Sequence, residues 1–152
     1  MSSSLFAAMT LRLLLPAALA LTLPACLYDA PRARVGAAAP SLVGTAWRGW
    51  SLSQNGPWTP FPAGQPITLT FGRDGQARGE ADCNRFSGPY TGATRGRVAF
   101  GALASTRVGC APGSMGADFL RVLGAGERYA VAGEFLTIHT PTGEMVQFRP
   151  LR

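Results

Sequence analysis

Three cysteines and a single histidine are the most reactive side chains of this 152-residue chain, and their settings divide them between different chemistries. Cys26 follows an apolar, uncharged run (residues 13–23) that has Arg12 in front of it and Leu23-Pro24-Ala25 behind it. A basic residue, a short apolar core, a small residue and then a cysteine form the pattern of a bacterial lipoprotein signal, in which the cysteine is lipidated and becomes the mature N-terminus. The run is shorter than the roughly 20 residues that span a bilayer. Residues 1–25 therefore read as a signal peptide and Cys26 as the lipid attachment site. Pro24 is an unusual residue for its position, and Met9 competes with Met1 as the start. The competing readings are a secretory signal cut elsewhere and a plain N-terminal membrane helix.

With Cys26 set aside, Cys83 and Cys110 form a pair 27 positions apart. In an oxidising compartment such a pair bridges where geometry allows, and chain entropy assigns a loop of that length about 3–4 kcal/mol of stabilisation. Metal ligation and redox catalysis are the alternatives. There is no Cys-x-x-Cys, and His139 stands without further ligands beside it in sequence, so neither a metal nor a cofactor is expected. No serine or cysteine nucleophile stands in a recognisable catalytic setting, so no catalytic residue is assigned.

The densest polar segment surrounds Cys83. Asp82, Asn84, Arg85 and Ser87 lie within it, and Thr106 and Arg107 precede Cys110. They admit two readings: a polar patch that binds a ligand, or a turn whose side chains satisfy the backbone and one another, with Arg85 paired to Asp82 or Glu80. Turn chemistry suffices to explain them: Asn84 tolerates a left-handed backbone, and Gly88-Pro89 would redirect the chain. Trp50, Trp58 and Phe61 are either aromatics at a binding mouth or packing residues.

The elements that must position these residues are short. Gly 19 and Pro 12 favour many strands joined by tight turns. The net charge of +6 comes entirely from arginines spread singly along the chain, which argues against nucleic acid; a mild field facing anionic envelope lipid or glycan fits better, and a merely solvated surface fits better still. Residues 26–41 are Ala/Pro-rich and read as a tether. Leu27, where an aspartate would favour the inner membrane of a Gram-negative cell, points to the outer membrane facing the periplasm. One domain, 42–152, follows.

Strands are expected at 45–52 with Trp47 inward, at 67–71 with Ile67, Leu69 and Phe71 on one face, at 76–81, 98–100, 129–132, 135–139 and 145–148. Asp74-Gly75 closes a hairpin. The one helix is expected at 115–123, capped by Ser114 and ended by Gly124.

In order along the chain, Trp47, the run Leu69 to Gly75, the Asp82-Cys83-Asn84-Arg85-Phe86-Ser87-Gly88 core, the Thr106-Arg107-x-x-Cys110 segment and the helical Phe119-Leu120 resemble the META-domain (HslJ-like) family of small bacterial envelope proteins. Val108-Gly109 and Asp118 depart conservatively from the family pattern. The resemblance implies a mainly β, antiparallel barrel-like meander with one packed helix, and it implies little about activity. The expected role is a lipid-anchored, non-catalytic envelope protein that supports stress or antibiotic tolerance by binding an envelope component or a protein. A small-molecule or glycan binder using the barrel mouth is the alternative, and an envelope hydrolase ranks behind both.

Overall fold

The computed structural model describes residues 40–151. The expected signal peptide, Cys26 and nearly all of the expected tether lie outside the described residues.

Ten strands and one helix follow the chain: β1 (Ala46–Ser53), β2 (Thr59–Pro60), β3 (Thr68–Phe71), β4 (Gln76–Ala81), β5 (Asn84–Thr94), β6 (Arg97–Phe100), β7 (Ala104–Ser105), α1 (Gly116–Gly124), β8 (Arg128–Ala132), β9 (Phe135–His139) and β10 (Met145–Pro150). Neighbouring strands pair antiparallel in the order β10, β9, β8, β6, β5, β4, β3, β1, and β10 also pairs with β1. The sheet therefore closes into an eight-stranded barrel. The short strands β2 and β7 attach outside this circuit, to β1 and β5.

Alternation of apolar and polar residues makes these strands. In β3, Leu69 and Phe71 are buried while Thr68 and Thr70 are only partly covered. In β9, Leu136 and Ile138 point inward in the same way, and in β10, Val146 and Phe148 do so. Trp47 lies fully inside, and its indole N–H donates to the Leu42 carbonyl at 3.3 Å.

The turn between β3 and β4 carries the expected hairpin chemistry. Gly75 takes a positive φ, and Asp74 accepts hydrogen bonds from Arg78 and from the Gln76 backbone N–H. Together these hold the Asp74 carboxyl below its ordinary value of 3.8. A carboxylate with a depressed folded pKa stabilises above its unfolded value, and the contribution is lost as pH falls through the lowered one. Asp74→Asn should therefore match the parent in thermal melts at strongly acid pH. The two should diverge only modestly above about pH 4, because the pair is exposed.

The longest element missed from the sequence is β5; the two-residue strands β2 and β7 were also not expected. Gly88-Pro89 does not redirect the chain; both residues lie within β5. A Cβ on Gly88 would meet the Ala102 carbonyl, so glycine is required there for close approach of the following segment. Pro89 sits where the partner of β5 changes from β7 to β6, so its missing N–H breaks no ladder bond.

The helix starts at Gly116, not Met115, and its N-cap is Met115. Ser114 still accepts from the Gly116 N–H at 3.3 Å, but Gln65 anchors the entry from across the fold. Its carbonyl oxygen accepts from the Met115 N–H at 3.1 Å, and its amide donates to the Gly113 carbonyl at 3.0 Å. The helix buries Phe119, Val122 and Leu123. It packs on β4, β6 and β10, which are not neighbours in the barrel, so it lies across the barrel and closes it.

Candidate functional site

The polar residues around Cys83 assemble into a clasp. Cys83 and Cys110 are joined by a disulfide with their Cα atoms 5.5 Å apart. Asp82 and Cys83 are the two residues between the paired Ala81 and Asn84 that end β4 and begin β5. The left-handed residue of this turn is Asp82, with φ 59°, and not Asn84. Asn84 has a different task. Its side-chain oxygen accepts from the Val108 N–H at 2.7 Å and from the Thr106 hydroxyl at 2.9 Å, while its amide donates to the Val108 carbonyl at 3.1 Å. The Thr106 hydroxyl also accepts from the Arg85 N–H, and the Thr106 N–H donates to the Arg85 carbonyl.

One amide thus satisfies both backbone groups of Val108, and the disulfide locks the same segment to the same hairpin. These bonds reach across about two dozen residues and are not the local ones of a turn. Arg85 stands opposite Glu80 in the β4–β5 register, yet it forms no ion pair with Glu80 or Asp82. Arg85, Ser87 and Arg107 are exposed on this side. His139 lies in β9, paired in register with Arg128 and Met145. Among the described residues no group of three or more metal-ligating side chains comes together.

A second site, which the sequence marked only by Trp50 and Phe61, lies on the outer wall where β1 meets β10. Pairing there is interrupted between Gly49 and Ser51, so Trp50 is the extra residue of a β-bulge. Gly49 on one side faces Phe148, and Leu52 on the other faces Val146; both partners are core residues. Two residues, in place of one, therefore separate the inward positions, and Trp50 is turned outward, 47 % exposed.

The Arg149 guanidinium stacks 3.8 Å from the Trp50 ring centre and 4.5 Å from that of Phe135. A cleft of about 490 Å³ opens beside them, lined among others by Arg48, Trp50, Phe61, Pro62, Gln65 and Arg149. Gly49 lies against Phe61 and Ile67 with no room for a side chain, and this close approach lets the loop after β2 form the cleft's far wall. The only sequence signals for this site were the aromatics Trp50 and Phe61. The arginines that flank them are about 100 positions apart and meet only through strand pairing.

Comparisons with known proteins agree with this architecture. The META domain family matches residues 40–152. The chain is similar to a protein from Burkholderia xenovorans solved by NMR, with 27 % identity over 81 % of this chain and 97 % of that one, at a TM-score of 0.62. A crystal structure of a DUF4847 family protein from Bacteroides vulgatus shares the fold at 14 % identity, covering 71 % of this chain and 93 % of that one with a TM-score of 0.53. Comparison with curated proteins finds no match. A closed β-barrel crossed by one helix and matched over residues 40–152 carries one conclusion: the chain belongs to the META domain family.

Proposed function

We propose that this protein is a lipid-anchored, non-catalytic binding module of the bacterial cell envelope, held by Cys26 to the outer membrane on its periplasmic side. It would support stress or antibiotic tolerance by engaging an envelope component or protein partner. The observation that carries this reading is the filled barrel. Trp47, Leu69, Phe71, Phe119, Leu136, Ile138, Val146 and Phe148 are all fully buried and occupy its interior. A packed interior gives a ligand no room at the barrel axis, so recognition falls to the outer surface. The alternative of a small molecule or glycan entering the barrel mouth is disfavoured on the same ground, while the outer cleft beside Trp50 suits binding. The Cys83–Cys110 disulfide supports an oxidising compartment.

Cys26→Ala tests the anchor. Wild-type protein is expected in the outer-membrane fraction with the mass of residues 26–152 plus lipid. The variant should leave the membrane while its thermal unfolding is unchanged. Retention of the variant in the membrane would overturn the anchor assignment.

A further inference from the structure

We propose that the cleft between β1 and β10 is a binding site for an acidic saccharide, a pyranose carrying a carboxylate. This deepens the envelope-binding reading above by naming the ligand class, and it rests on that reading for its biological setting alone.

Two guanidinium groups mark the site. Arg48 and Arg149 stand directly opposite each other across the β1–β10 ladder. Like charges in that position repel and weaken the pairing. No acidic residue lines the cleft to offset them, and neither arginine makes a hydrogen bond or ion pair with a described side chain. Arg149 is held instead by the Trp50 and Phe135 rings, and its Nε is buried without an acceptor. Stacking fixes the guanidinium plane, so an incoming carboxylate meets a pre-oriented donor. Two opposed cations with no acidic side chain among the described residues lining the cleft call for an external anion.

The remaining lining narrows the class. Gln65 is committed to the entry of α1 through both ends of its amide, so it has little left to offer a ligand. The other walls are the exposed Trp50 ring, Phe61 and prolines. They suit a body with an apolar face, as a sugar ring presents through its C–H groups. The volume of about 490 Å³ falls in the range of small-ligand sites. An extended peptide would need an open strand edge, and along the Arg48 stretch β1 is paired on both sides, with β10 and with β3.

The test titrates the purified full-length protein in detergent with trigalacturonate, with maltotriose as a neutral trisaccharide and with inorganic phosphate, following Trp50 by its indole NMR resonance. Trigalacturonate should shift that resonance saturably, and maltotriose should bind on the order of tenfold or more weakly. Arg48→Gln, at an exposed position, and Arg149→Gln should each weaken trigalacturonate by a similar factor. Arg73→Gln, on the exposed β3–β4 turn, should leave it unchanged and so serve as the charge control. Equal affinity for maltotriose, phosphate binding as tight as trigalacturonate, an equal loss in Arg73→Gln, or no saturable shift would each overturn the proposal. Because the readout is binding by purified protein, its failure is separable from failure of the Cys26 anchor, which is read by fractionation.

Discussion

Phe119→Ala is expected to cost about 3–5 kcal/mol, the loss of a fully buried aromatic side chain. Phe119 is completely buried on α1, and its ring sits 5.7 Å from Phe86, 6.0 Å from Phe61 and 6.0 Å from Phe148, near edge-on to each. Those partners come from β5, the loop after β2, and β10, so one side chain joins three regions that are far apart in sequence. Alanine would leave a cavity that the rigid barrel wall cannot collapse to fill. Against a total stability of about 5–15 kcal/mol for a domain of this size, the loss is a large share. Urea unfolding should show a lower midpoint with an unchanged slope. A loss below about 1 kcal/mol would mean that the helix is peripheral to the core.

The second large effect belongs to the clasp. Cys83→Ala and Cys110→Ala should each lower stability by about 3.5 kcal/mol, the chain-entropy value for the 27-residue separation. The double variant should add little to either single one, because both remove the same bond. Reduction should raise the intact mass by about two daltons. Asn84→Ala, with the disulfide intact, should cost about 2 kcal/mol. It removes the acceptor for the Val108 N–H and the Thr106 hydroxyl and the donor to the Val108 carbonyl. Asn84 and the disulfide hold the same segment, so the loss in Asn84→Ala should change when the disulfide is also absent. Strict additivity would show that the two act independently.

Much of this was legible in the sequence. Period-two alternation located β3 to within a residue, because a half-buried strand must alternate whatever it pairs with, and the Asp74-Gly75 turn placed β4 as its return strand. The helix was legible from the spacing of Phe119, Val122 and Leu123. The pairing of Cys83 with Cys110 followed from the cysteines left after Cys26. β5 was not legible: Gly88, Pro89 and Gly92 carry turn chemistry, and only contact with the 101–103 segment and the exchange of partners beside Pro89 makes them strand residues. The role of Asn84 was half legible. Its type announced backbone hydrogen bonding, but its acceptors and donors are 22 and 24 residues away.

What the sequence determined by itself is therefore local: alternation, hairpin turns and the helix face, each set by spacing along the chain. The tertiary structure alone decided which distant positions meet. Closure of β10 onto β1 places Arg149 opposite Arg48, and the bulge turns Trp50 outward over the Arg149 guanidinium. No periodicity encodes that meeting. It depends on the register of two strands about 100 residues apart, and register is set by the whole packed interior of the barrel.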